Sequence, residues 1–301
     1  MKNKILIGVD FGGTKIMTGA MSEEGKILCD PIKVPTNSTE ESKEILKRIT
    51  ESIEGVLFRT SASIDEVAGI GLGVTGPLDL KDGVILECPQ LPTMHLYPLK
   101  KVVEEYFGRP VYMNNDANCF IYGEALFGAG AGKNTVVGFT LGTGIGCAII
   151  IDGKIFAGST GSAGEIWPSP YGNGTIEDIV SGAGVSKIYS KICGQTKSAL
   201  EIGKLAENGD HNALLVWEEL GKHLSVAISW AINLMDPDIV ILGGSISNAY
   251  KFFSSSMEEN VRKQICPTPA KMTKIVRATL GQFAGFIGAA SLAIPAGRSG
   301  N

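Results

Sequence analysis

Three short segments carry residues whose types and spacing can do chemistry. The first is Asp10-Phe11-Gly12-Gly13-Thr14-Lys15, closing the apolar run from Ile5 to Val9. Paired glycines let a backbone approach a ligand closely and leave N–H groups for phosphate oxygens. Thr14 adds a hydroxyl and Lys15 a positive charge, while a carboxylate at Asp10, at the end of a buried strand, suits a hydrated Mg²⁺. An ordinary tight hairpin with a solvated Lys15 would look the same. A second turn, Gly142-Thr143-Gly144, follows another apolar run, so two such turns could grip one nucleotide from opposite sides. The third segment, Asn114-Asn115-Asp116-Ala117-Asn118, joins a strand end to a helix start. A carboxylate there can accept the proton of a substrate hydroxyl during phosphoryl transfer; capping its own helix is the competing role for Asp116. Glu165, after a glycine-rich stretch, and Glu177 are acidic loop residues that could hold ligand hydroxyls or be simply solvated.

Other patterns argue against themselves. Gly71-Leu72-Gly73-Val74-Thr75-Gly76 matches a dinucleotide fingerprint, but Pro77-Leu78-Asp79 stand where a helix must open. The run from Gly128 to Asn134 resembles a phosphate loop without its spacing and reads as a flexible connection. Six cysteines lie scattered with no C-x-x-C pair, which reads as reduced, mostly buried thiols. His95, His211 and His223 have no metal-ligand spacing, and the last two read as the surface and flank of a helix.

The elements that must position these residues follow from periodicity. Ile5 to Val9 reads as a buried strand, with strands over 15–20 and 27–34 completing a meander around a turn at 23–25. Residues 39–57 read as a helix, 67–74 and 110–114 as strands, 99–106 as a short amphipathic helix and 116–127 as a helix. The meander then recurs: strands over 135–141, 147–151 and 154–156 repeat the order strand, Gly-Thr turn, strand, acidic-glycine turn, strand. Two such units imply two lobes of related architecture. A long helix over 212–235, a strand over 239–242 ending in Gly243-Gly244, a last helix over 283–293 and a loose tail at 296–301 complete an α/β chain.

Bulk properties narrow the class. The chain has 301 residues, 44% hydrophobic, enough for a substantial core and about two domains. A net charge of -4 gives none of the basic character expected of a nucleic-acid binder. No stretch approaches the roughly 20 apolar residues of a membrane span, and the apolar start is too short for a signal-peptide core. The expectation is a cytoplasmic protein with no nucleic-acid or membrane partner.

Taken in order, the motifs resemble the ROK family of sugar kinases, within the actin-like, hexokinase-type ATPases. The landmarks are DFGGTK from Asp10, GLGVTGP from Gly71, NNDAN from Asn114, LGTGIG from Leu141, GSAGE from Gly161, ILGGSIS from Ile241 and AGFIGAASLA from Ala284, so the likeness covers nearly the whole chain. It implies an α/β, two-lobed actin-like (ribonuclease H-like) fold with a central cleft. Residues 1–118 with about 289–301 would form a small lobe and 119–288 a large one. It implies ATP and Mg²⁺ as cofactors, with Gly12, Gly13, Thr14, Lys15, Gly142, Thr143 and Gly144 at the phosphates and Gly243 and Gly244 beside the adenosine. Asp10 would reach Mg²⁺ through water. Asp116 would be the catalytic base; Gly76, Asn115, Asp116, Glu165 and Glu177 would meet the sugar, glucose first and N-acetylhexosamine or fructose as alternatives. A homodimer is implied as well. The chain departs from the family at Glu165-Ile166-Trp167-Pro168, where E-x-G-H and then a zinc-binding cysteine loop are usual, so no structural zinc is expected. Two other readings remain: a non-catalytic sugar sensor, whose DNA-binding segment would precede the first strand, and an actin-like ATPase with a non-sugar substrate.

Overall fold

The computed structural model describes residues 4–266 and 268–294; the tail expected at 296–301 lies outside them. The chain divides into two compact units, one made of residues up to 132 together with those from 282 onward, the other of residues 133–281. The boundaries expected at 118/119 and 288/289 differ from these for one reason. The helix that starts at Asp116 packs on the C-terminal helix Ala284–Ser291, which keeps both in the first unit.

In the first unit, β1 (Ile5–Phe11), β2 (Lys15–Ser22) and β3 (Ile32–Pro35) form an antiparallel meander, which β4 (Val67–Val74) and β7 (Val111–Asn115) extend in parallel in the order β3-β2-β1-β4-β7. The strand expected over 27–34 forms only at its end: Ile27 makes a single bridge to Met21, and Pro31 removes a ladder donor. The pair β5 (Leu78–Asp79) and β6 (Val84–Ile85) and the helices α1 (Ser42–Thr60), α2 (Leu99–Phe107) and α3 (Asp116–Phe127) complete the unit with the C-terminal helix. Successive residues of a strand face opposite sides. Ile7 and Val9 therefore join Ile45, Ile49 and Ile53 of α1 in one core, while Gly8 between them meets the backbone of the C-terminal helix.

The second unit repeats this plan. β8 (Thr135–Leu141), β9 (Ile145–Ile151) and β10 (Lys154–Ile155) form the meander, with β13 (Ile239–Gly243) and β14 (Lys274–Arg277) parallel to β8, in the order β10-β9-β8-β13-β14. A two-residue hairpin, β11 (Pro170–Tyr171) and β12 (Gly174–Thr175), leads into α4 (Glu177–Val180). Helices α5 (Gly182–Cys193), α6 (Ala199–Glu207), α7 (His211–Met235) and α8 (Tyr250–Gln264) follow, and Trp217, Leu220 and Leu224 of α7 share a core with Val137, Phe139 and Leu242 of the sheet. The run from Gly128 to Asn134, read as a flexible connection, is held at both ends: the Ala129 and Gly130 amides donate to the Glu124 carboxylate and carbonyl at 2.9 Å each, and the Asn134 amide to Asp238 Oδ2 at 3.0 Å.

The C-terminal helix sits so close to β1, β4 and α3 that side chains are excluded at the contacts. A methyl group on Gly71 would overlap the Ala289 carbonyl, and one on Gly288 the Cys119 carbonyl. Gly71→Ala should therefore lower the unfolding free energy by about 3 kcal/mol or more in urea titration. Gly132→Ala, in open space but at φ 76°, should lose only about 1–2 kcal/mol. Equal losses would show that the close seating is not what Gly71 serves.

Candidate functional site

Each unit carries one group of the expected residues at the carboxyl ends of its parallel strands, where α/β sheets offer ligand crevices. In the first unit, register aligns Asp10 with Gly73 and Gly73 with Asn114, then Phe11 with Val74 and Val74 with Asn115. The next residues, Gly12, Thr75 and Asp116, thus leave the sheet side by side.

The turn after β1 is built by its own backbone and one neighbour. The Gly12 amide donates to the Lys15 carbonyl at 3.1 Å, the Thr36 hydroxyl donates to the Gly12 carbonyl at 2.6 Å, and the Thr36 amide reaches the Thr14 carbonyl at 3.0 Å. Lys15 Nζ lies 3.6 Å from Asp10 Oδ2. Burial pushes the Asp10 carboxyl above its usual value near 3.8, and Lys15 pulls it back. Two close approaches frame this turn. A Cβ on Gly13 would stand 2.9 Å from the Gln90 carbonyl oxygen, and one on Gly285 would stand 2.7 Å from Asp10 Cγ.

At the end of β7 the capping role expected of Asp116 as an alternative falls to its neighbour. Asn115 is the helix cap: its Oδ1 accepts from the amides of Ala117 at 2.9 Å and Asn118 at 3.4 Å. Asp116, half-buried, is the first helical residue and accepts from the Ala117 amide at 2.8 Å. Asn114 Oδ1 accepts from the Asn118 side chain at 2.9 Å, which bolts the strand end to the helix. A Cβ on Gly76 would stand 3.3 Å from Asn115 Nδ2, so Gly76, Asn115 and Asp116 are brought together. Burial raises the Cys119 thiol well above its usual range, and the carboxylates of Asp116 and Asp10 push it the same way, so one thiol feels both acids.

In the second unit, Gly142-Thr143-Gly144 closes β8 and β9, with the Gly142 amide donating to the Gly144 carbonyl at 3.0 Å. β13 runs parallel beside β8 and brings Gly243-Gly244 to the same end; a Cβ on Gly142 would stand 3.6 Å from Ser245 Oγ. Gly244 has φ 82° and lies against the Leu141 backbone, which only glycine permits. Glu177 sits at this turn, its Oε2 accepting from the Ile145 amide at 3.0 Å, with no room for a side chain on Gly144. Glu165 is exposed in the segment after β10, near Cys147 of β9, whose thiol is pushed up to about 12 by burial and then by Glu165. The segment that departs from the family pattern forms the β11–β12 hairpin, and among the described residues no group of three His, Cys, Asp or Glu could hold a metal.

Several partners were not legible beforehand. Thr36 and Gly182, whose amide donates to the Gly142 carbonyl at 2.8 Å, come from distant segments with no motif of their own. Ser245 and Gly285 lie within quoted motifs, but their closeness to Gly142 and Asp10 is long-range, as is that of Gln90 to Gly13.

Comparison with known proteins places the chain. The ROK family pattern matches residues 6–296, and the protein belongs to that family. The glucokinase of Thermotoga maritima is 32% identical, covering 95% of this chain and 96% of its own. The N-acetyl-D-glucosamine kinase of Vibrio cholerae is 31% identical over 95% and 99%. Among solved structures, a ROK family glucokinase from Streptomyces griseus in complex with glucose and AMPPNP has a TM-score of 0.83 at 29% identity, covering 98% of this chain and all of its own. The fold is the actin-like ATPase fold of ROK sugar kinases. A ROK family transcriptional regulator shares it, with a TM-score of 0.84 at 23% identity, so fold alone does not decide activity.

The Asp10 environment makes a pH prediction. The folded protein binds the Asp10 proton more tightly than the unfolded chain does, so ionisation of this group opposes folding. Its contribution to stability therefore rises as pH falls through the raised pKa toward 3.8. Asp10→Asn should raise the melting temperature at neutral pH, with the gain shrinking as pH approaches about 4. A lower melting temperature at neutral pH would mean that the Lys15 pair outweighs burial.

Proposed function

We propose that this protein is an ATP-dependent sugar kinase that transfers the γ-phosphoryl group to a hexose hydroxyl. The observation that carries the reading is the grouping of Gly76, Asn115 and Asp116 at the ends of β4 and β7, with the capping role taken by Asn115. Asp116 is the base that accepts the hydroxyl proton, and Asn115 and Gly76 orient the sugar beside it. Glu165 and Glu177 are the second unit's candidates for sugar hydroxyls. A polar site of this kind discriminates strongly, because a sugar lacking one hydroxyl leaves a partner unpaired.

Each unit contributes a glycine turn whose amides suit phosphate oxygens: Gly12, Gly13 and Thr14 with Lys15 in the first, Gly142, Thr143 and Gly144 in the second, with Gly243 and Gly244 for the adenosine. Mg²⁺ bound with the nucleotide would neutralise charge on the phosphates. Asp10 fits it as a single carboxylate acting through water, the mode this hard cation favours when phosphates supply its other ligands. Positioning and electrostatics then supply most of the rate. Glucose is the first substrate, with N-acetylhexosamine or fructose next; the glucokinase and N-acetyl-D-glucosamine kinase relatives support that short list. The same reading takes the protein to be cytoplasmic and, as the family likeness implies, homodimeric.

The test is ADP release from Mg-ATP across glucose, fructose, mannose, N-acetylglucosamine, N-acetylmannosamine and allose. One sugar should stimulate release strongly. Silence across the panel with ATP binding intact would favour a sensor or a non-sugar ATPase. With the active sugar, Asp116→Asn should lower kcat by about 10²–10⁴-fold while nucleotide affinity holds. Near-normal turnover would remove Asp116 from the role.

A further inference from the structure

The β11–β12 hairpin pairs only two residues on each strand, Pro170 with Thr175 and Tyr171 with Gly174. A ribbon this short has no stability of its own and must borrow it. One anchor is internal: Asp178 Oδ2 accepts from the Thr175 amide at 3.0 Å and from its hydroxyl at 2.9 Å. The other is α7. The Tyr171 hydroxyl and His223 Nδ1 share a hydrogen bond of 2.9 Å, and the Tyr171 ring stands edge-on to His223 at 5.7 Å and to Trp230 at 6.5 Å. His223 and Trp230 are seven residues apart, two turns along one face of the helix. His223 Nε2 lies 3.4 Å from Glu219 Oε1, one turn earlier, which orients the ring.

The chain leaving this hairpin has little freedom. The Ile176 amide donates to the Ser169 carbonyl at 3.0 Å, Ile176 is buried, and the next residue is Glu177, whose carboxylate takes the Ile145 amide at the Gly142-Thr143-Gly144 turn. A continuous set of contacts thus runs from α7 through Tyr171 to a turn that the proposed function assigns to phosphate. We infer that Tyr171 and His223 are positioning residues: their bond fixes the hairpin, the hairpin fixes Glu177, and Glu177 shapes the glycine turn. The inference rests on the kinase reading for its purpose, but its physical content, coupling of Tyr171 to the turn, does not.

Two measurements on the full-length protein test it, using Tyr171→Phe, His223→Ala and the double variant. By hydrogen exchange, the amides of residues 142–145 should exchange about 2- to 10-fold faster in each single variant, the range expected for loss of one hydrogen bond. Exchange in the β8 and β13 interiors should stay as in the wild type. By calorimetry, AMPPNP affinity should fall over the same range. The double variant should lose no more than the worse single one, because both break the same bond, and His223→Asn, whose amide lies near the place of Nδ1, should recover part of the loss. Unchanged exchange at 142–145, uniform acceleration across the unit, or additive losses would overturn the coupling. The exchange result stands whether or not any sugar is phosphorylated. A silent sugar panel with a responsive turn would therefore defeat the kinase reading and leave the coupling in place.

Discussion

The first unit depends on a helix buried against bare backbone. Ala284–Ser291 is buried along its whole length and meets β1 at Gly8, β4 at Gly71 and α3 at Gly123, with its own Gly288 against Cys119, all places where a Cβ would collide with main-chain atoms. Interiors are packed at crystal density, so an element seated this way has no room to shift without moving its neighbours. Asp10 stands against Gly285 at one end of this helix, and α3, which begins with Asp116, lies along it. Two acids 106 residues apart in sequence are therefore held by one rigid contact, and Cys119 registers both of them in its raised thiol pKa.

That seating explains which parts of the site could be read from sequence. The first two strands of each unit with the Gly-Thr turn between them, the DFGGTK and NNDAN segments and the start of α3 at Asp116 are local: apolar runs closed by glycine or by a capping residue, and the structure holds them close to where periodicity puts them. The recurrence of the meander was legible for the same reason, and both sheets do share one strand order. The extent of each compact unit was not. Whether α3 belongs with the strands before or after it depends on Gly123 meeting Ala284 and Gly288, a contact made across more than half the chain. Equally hidden were Thr36 and Gly182, residues of common type whose value lies only in the backbone group each one meets.

The capping of α3 shows how residue identity sorts competing roles. Asn and Asp are both good caps, and Asn115-Asp116 offers one of each. The cap must be the last residue with extended backbone; Asn115 has φ -63° and ψ 145°, while Asp116 is already helical. Strand β7 ends by pairing Asn115 with Val74, so the β4–β7 register decides which of the two becomes the cap. The neutral amide is consumed by the helix and the carboxyl side chain is placed one residue on, at the first helical position.

The two glycine turns occupy matching places in matching sheets yet are not interchangeable. β1 and β2 last pair at Phe11 and Ile16, leaving four residues in the turn, whereas β8 and β9 last pair at Leu141 and Ile145, leaving three. The longer turn is self-contained, because its charged residues, Asp10 and Lys15, belong to the strands that form it. The shorter turn, Gly142-Thr143-Gly144, carries no charge of its own, and the charge at hand is Glu177, carried by a different element. A turn that borrows its carboxylate inherits the mobility of whatever holds that carboxylate. In this unit the holder is a hairpin of two residue pairs, so the shape of the second turn is decided on the flank of α7 rather than within the sheet.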